Sequence, residues 1–219
     1  MGAPKITNIQ LPLSAKEAAK LKLGEIVSVS GKIFTGRSLF HIRAIEKNIL
    51  PPVDFSAVNG FFHVGPVMRQ ENDEWKIVSI EPTSSIRFER YGGDVIKKLN
   101  LRAVMGKTTM GAKSATALKE TGGVYLSKIG VCGNQLAEHV KRVESVYFLE
   151  ELGKTEACWI FEVDCFGPFF VGIDSNGRNY FEELNDKARE NISGIYKDLG
   201  IPADYKLASV SPPCARSAN

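Results

Sequence analysis

Apolar and polar positions alternate along much of the first third of this chain. Residues 6–13 read as a short strand, and Ser14-Ala15-Lys16-Glu17 opens a helix with a capping box, serine and glutamate each satisfying the other's free amide. Residues 25–34 alternate through most of their length, the signature of a half-buried strand. Across Thr35-Gly36-Arg37-Ser38 the period becomes helical, marked by Phe40, Ala44, Ile45 and Asn48. A short apolar strand over 61–67 ends in Gly65-Pro66, and Asn72-Asp73 predicts a hairpin turn into a strand over 75–80. Pro82 restricts itself and Glu81, so that strand stops there. Thr83, Ser84 and Ser85 are N-cap candidates for a helix running through Arg87.

A brief strand over 102–105 then stops at Gly106-Lys107-Thr108. Beyond it the pattern predicts a helix over 114–121, a strand over 124–129, a helix over 135–143 and a strand over 145–149. Such alternation implies parallel strands joined by helical crossovers. Residues 156–163 and 169–173 read as a pair of strands, followed by the turn Asp174-Ser175-Asn176-Gly177. Residues 181–199 read as a polar helix and 202–219 as a mobile tail. The expected fold is α/β with a mixed sheet: one domain over 1–185, then a helical extension and flexible tail over 186–219.

With 219 residues the chain is long enough for one good core. Hydrophobic residues at 43% and charged residues at 24% exclude disorder, and a net charge of +3 is too small to argue for nucleic acid. No apolar run is long enough to span a membrane and no signal series opens the chain, so the expected location is cytoplasmic. Cys132, Cys158, Cys165 and Cys214 show no ligand spacing and are expected as free thiols, so a complete metal site made by this chain alone is not expected.

Three strand ends carry a cation: Arg37, Arg87 with Thr83, and Lys107. Ligands of open α/β sheets bind beyond such ends. The spacing leaves two readings open, separate surface charges or one rim that holds a small dianion such as a dicarboxylate through bidentate arginine contacts. Gly106-Lys107-Thr108 lacks the first glycine of a P-loop. His41 lies one helical turn after Arg37, either as a structural hydrogen-bonder or as a ligand contact.

From Gly31 to about Glu183 the chain resembles the β subunit, or C-terminal half, of the class I fumarate hydratase and L(+)-tartrate dehydratase family. The residues that carry the resemblance are Gly31-Lys32-Ile33-Phe34-Thr35-Gly36-Arg37-Ser38-Leu39-Phe40-His41, Phe62-His63-Val64-Gly65-Pro66, Glu81-Pro82-Thr83-Ser84-Ser85-Ile86-Arg87-Phe88 and Met105-Gly106-Lys107. Gly122-Gly123-Val124-Tyr125-Leu126 and Glu150-Glu151-Leu152-Gly153 add to it, and the segment from Trp75 to Ile80 with Cys132 leans toward the tartrate branch.

The resemblance implies a swivelling three-layer β/β/α domain working with an α subunit that carries a 4Fe-4S cluster, in a hetero-oligomer or a homodimer through the family interface. It implies reversible dehydration of a 2-hydroxy dicarboxylate, malate/fumarate or L-tartrate/oxaloacetate. Arg37, Arg87 and Lys107 would bind the carboxylates and Thr83 would transfer the proton. His41, Ser84, Glu81 and Cys132 would stand around them, and no metal would be bound by this chain. Three positions depart from the family pattern: Glu81 for a glycine, Ser38 for an aspartate and Thr108 for a glycine. Glu81 puts a negative charge beside the anion pocket unless it pairs with Arg37 or Arg87. The alternative is a non-catalytic carboxylate-binding or assembly subunit with a diverged site.

Overall fold

In the computed structural model, which describes residues 5–130, 132–202 and 204–205, one long strand organises the sheet. Strand β9 (Cys158–Ile173) pairs antiparallel with β8 (Val140–Tyr147), with β2 (Ile26–Thr35) and with β7 (Val124–Lys128). Between β2 and β7 lie β3 (Gly60–Phe62) and β6 (Ala103–Gly106), all parallel, and β1 (Thr7–Gln10) flanks β2. The hydrogen-bonded order β2-β3-β6-β7-β9 therefore returns to β2, and the sheet closes on itself. A second, two-stranded sheet is the hairpin of β4 (Val67–Glu71) and β5 (Glu74–Ser79), turned by Asn72 and Asp73 at positive φ as their sequence predicts.

Period-2 alternation sorts the strand side chains into two cores. Ile33, Phe62, Met105, Leu126 and Phe161 face the interior shared with Trp159 and Phe169. Their neighbours Phe34, Phe61, Val104, Tyr125 and Ile160 face the helices. On that side lie α2 (Ser38–Ile45), α3 (Glu89–Lys98) and α4 (Ala112–Thr121), whose buried residues include Phe40, Val95, Ile96 and Leu118. The short α1 (Ala15–Ala18) has the capping box of Ser14 and Glu17. The closing turns are α5 (Gly133–Ala137) and α6 (Leu149–Leu152).

Three readings of the pattern are corrected. Residues 140–143 belong to β8, not to a helix continuing from 135. Val140, Val143 and Val146 recur every three residues because two register shifts interrupt the pairing of β8 with β9, and a bulged strand then imitates a helical period. β8 also pairs with β9 rather than continuing the parallel set. The expected strand pair over 156–173 is one strand, within which Cys165 takes positive φ and Gly167-Pro168 is cis.

The chain divides into two compact units, Met1–Phe181 and Glu182–Asn219. Helix α7 (Tyr180–Asp198) starts at the end of the first and supplies the second, where Arg189 pairs with Asp186 at 2.8 Å. The expected tail over 202–219, with Cys214, falls mainly outside the described residues. Among the described residues Cys132, Cys158 and Cys165 are free thiols, and no helix is long and apolar enough to cross a membrane.

Candidate functional site

The parallel strands end in register. Thr35 pairs with Phe62, Phe62 with Met105, and Met105 with Leu126. Arg37, His63, Lys107 and Lys128 follow those positions by one or two residues, so four neighbouring strands deliver them to one edge. Two strand spacings separate the Arg37 strand from the Lys107 strand, about 10 Å.

The turn with Thr83 does not end a strand of this sheet, as its sequence suggested; it follows the separate hairpin and is fastened to the edge by backbone bonds. Thr83 N–H donates to the His63 carbonyl at 2.9 Å, and Ser85 N–H to the Lys107 carbonyl at 3.0 Å. Val64 bridges Pro82, and Ser84 bridges Lys107. The expected helix here is a 3₁₀ turn, Ser85–Phe88, that precedes α3. Its hydroxyls do not cap it: Ser84 Oγ lies 3.0 Å from Thr108 Oγ1, and Ser85 Oγ lies 2.9 Å from His63 Nδ1. The edge already uses the amides of Thr83 and Ser85, which withdraws both from any ligand.

Arg37 is partly exposed and sits at the N-cap of α2. Its Nε is 3.7 Å from Glu156 Oε1, while Glu156 Oε2 accepts the Leu39 amide at 2.9 Å. Gly65 makes room for the arginine: a β-carbon there would lie 2.8 Å from Arg37 Cδ and 2.5 Å from the Thr155 carbonyl. Lys107 and Arg87 are exposed, and their side chains make no ion pair among the described residues. Thr83 and Ser84 are partly buried. Thr108 holds positive φ, an uncommon conformation for a β-branched residue, and its carbonyl accepts the Ser127 hydroxyl at 2.6 Å.

Glu81 pairs with neither arginine. Its partner is Lys128, whose side chain is 4% exposed against 45% for Glu81. Gly133 packs against Glu81, a β-carbon there meeting Glu81 Cβ at 3.2 Å, and the exposed Cys132 flanks it at the start of α5.

Below the edge lie two buried imidazoles, His41 and His63, with ring centroids 5.3 Å apart. His41 is fully buried, stacks on Phe88 and bonds the Arg37 carbonyl through Nδ1 at 2.7 Å. Desolvation lowers its pKa to about 4, the hydrogen bond opposing, and burial with the neighbouring His41 holds His63 well below the usual histidine range. His41 thus supports the arginine backbone and presents no face to solvent.

Glu156, Lys128, His63 and Ser85 were not singled out in the sequence as site residues. His63 and Ser85 stand inside the quoted motifs, whereas Glu156 and Lys128 carry no local signal.

The family model described as Fumarase C-terminus matches residues 3–184. A putative L(+)-tartrate dehydratase subunit beta of Methanocaldococcus jannaschii is 41% identical over 186 residues, 84% of this chain and 95% of that protein. The L(+)-tartrate dehydratase subunit beta of Escherichia coli K12 is 30% identical over 188 residues, 86% of this chain and 92% of that one. A putative fumarate hydratase class I of Geobacillus stearothermophilus is 39% identical over 192 residues, 86% of this chain but 36% of the relative.

Proposed function

The chain belongs to the Fumarase C-terminus family as a relative of class I fumarate hydratase and tartrate dehydratase β subunits, and from that premise we propose that it is the β subunit of a hydro-lyase. Its reaction is the reversible dehydration of a 2-hydroxy dicarboxylate, carried out with an α subunit. The observation that carries this reading is the register of strand ends that brings Arg37 and Lys107 to one edge, with the Thr83 turn fastened there.

Each residue has a task that follows from its chemistry. Arg37, its stem steered by Gly65 and its Nε facing Glu156, offers the remaining guanidinium N–H groups to one carboxylate as a bidentate fork. Arg87 and Lys107, exposed and without an ion pair among the described residues, take the other carboxylate and the charge that spreads onto it as the neighbouring C–H proton leaves. As that C–H bond breaks, its electron pair forms the C=C bond and the hydroxyl on the adjacent carbon leaves as hydroxide. Thr83, as the alkoxide, takes the proton; proton and hydroxide together make the water released, which returns Thr83 to the alkoxide. Its hydroxyl is a weak base on its own, and nearby positive charge favours the alkoxide it needs.

No group of three or more His, Cys, Asp or Glu side chains stands together among the described residues in a way that could hold a metal. We assign the 4Fe-4S cluster that the resemblance implies to the α subunit.

Co-expression with the α subunit under anaerobic conditions tests the reading. Dehydratase activity on malate or L-tartrate is expected, and Thr83→Ala should abolish it while leaving the fold intact; a fully active Thr83→Ala complex would refute the assignment. One observation favours a second reading, a carboxylate-binding subunit without catalysis: Glu81 occupies Lys128 next to the Thr83 turn. Calorimetric binding of dicarboxylates by a complex that turns none of them over would select it.

A further inference from the structure

We propose that His63 is the positioning residue of this site, a clamp that sets Thr83 and Lys107 relative to one another; the inference rests on the function proposed above. His63 is 1% exposed and tied on three sides. Its amide donates to the Met105 carbonyl at 2.9 Å, holding it to β6. Its carbonyl accepts the Thr83 amide at 2.9 Å, and its Nδ1 meets Ser85 Oγ at 2.9 Å. Ser85 in turn donates its amide to the Lys107 carbonyl at 3.0 Å. One side chain thus closes a loop of bonds that begins at Thr83 and ends at Lys107.

The other polar group beside Ser85 Oγ is the Tyr125 hydroxyl, which belongs to the sheet and makes no tie to Thr83. Ser85 is fully buried, so no solvent can replace the imidazole. Gly106 is needed for the approach, since a β-carbon there would lie 1.9 Å from Ser85 Oγ and 2.9 Å from the Tyr125 hydroxyl. An imidazole held neutral by burial keeps one donor and one acceptor nitrogen, and either can complete the bond with a serine hydroxyl. A phenylalanine would fill the same space among Phe61, Phe88 and His41 but remove the bond from Nδ1 to Ser85 Oγ, leaving the Tyr125 hydroxyl as that oxygen's polar neighbour.

The test compares His63→Phe, His63→Asn and Ser85→Ala in the full chain bound to its α subunit. Asparagine can place an amide atom where Nδ1 stood. His63→Phe should lower kcat about 100-fold with a smaller change in KM, because the proton-transfer group is misplaced more than the carboxylate contacts are lost. His63→Asn should recover most of the rate, and adding Ser85→Ala to His63→Phe should cost little more. In hydrogen exchange, the Thr83 and Ser85 amides should lose protection in His63→Phe but keep it in His63→Asn, with Val104 in the sheet unchanged. Equal damage by both His63 variants, or undisturbed Thr83 and Ser85 amides in His63→Phe, would overturn the proposal. If the unmodified complex turns over no dicarboxylate, the function proposed above fails instead, and the exchange data alone decide the role of His63.

Discussion

The carboxylate of Glu81 is paired with the ammonium of Lys128, across the gap between the hairpin sheet and the end of β7. Lys128 is nearly buried, so this pair both satisfies a cation and removes it from any ligand. Glu81→Gln keeps the shape and deletes the charge. It should lower stability by about 1–2 kcal/mol, since a mostly buried ammonium loses its counter-charge while the amide oxygen still accepts. Affinity for dicarboxylates should rise, about tenfold if the freed charge is felt at the edge. Urea unfolding and titration calorimetry measure the two effects; weaker dicarboxylate binding in the variant would contradict the placement of Glu81 beside the anion site.

Arg87 and Lys107 contribute little to folding, being exposed and without ion-pair partners among the described residues. Replacing either with alanine should change stability by no more than about 0.5 kcal/mol. The same change should weaken dicarboxylate binding about 10- to 100-fold, the worth of a charge-assisted contact. Unchanged binding in both variants would mean that neither side chain touches the ligand.

Gly65 tests the arginine in the opposite way, from beneath. A methyl group there would press on Thr155, whose carbonyl and Cγ2 would each be 2.5 Å away, and on Arg37 Cδ at 2.8 Å. Gly65→Ala should cost about 1–3 kcal/mol of stability through overpacking. KM should rise because the guanidinium is displaced, an effect absent from Ile86→Ala on the exposed side of the 3₁₀ turn.

Acid should destabilise the protein through the buried histidines. His41 titrates at about 4 when folded and at an ordinary 6.5 when unfolded. Between those values the unfolded chain binds the extra proton, so stability is full above about pH 6.5 and falls as the pH drops toward 4, by about 3 kcal/mol for this group. His63 acts in the same direction. His41→Phe should flatten the stability curve over that window, whatever its effect at neutral pH; unfolding midpoints from pH 4 to 7 would reveal an unchanged slope if the assignment is wrong.

Glu156 shows why part of the site was not legible in the chain. It reaches the Arg37 side chain and the Leu39 amide, a hydrogen bond across 117 positions. Its own neighbourhood, Thr155-Glu156-Ala157, looks like an ordinary strand entry. Lys128 was similarly silent because its partner sits 47 positions away, just past the end of β5. By contrast Arg37, Thr83, Arg87 and Lys107 stood out, since each interrupts an apolar run at a turn, and local pattern is what a linear reading detects.

Alternating and helical periods, the Ser14 capping box, the Asn72-Asp73 turn and the ordered motifs around Arg37, Thr83 and Lys107 were determined by the chain itself, because each depends on residues within a few positions of one another. The closure of the sheet through β9, the bulges that make a strand of 140–147, and the clamp between His63 and Ser85 were decided only by tertiary structure. The physical reason is range. Propensity and periodicity act over one or two turns, whereas register and hydrogen-bond partnership are settled by which distant surfaces exclude water together.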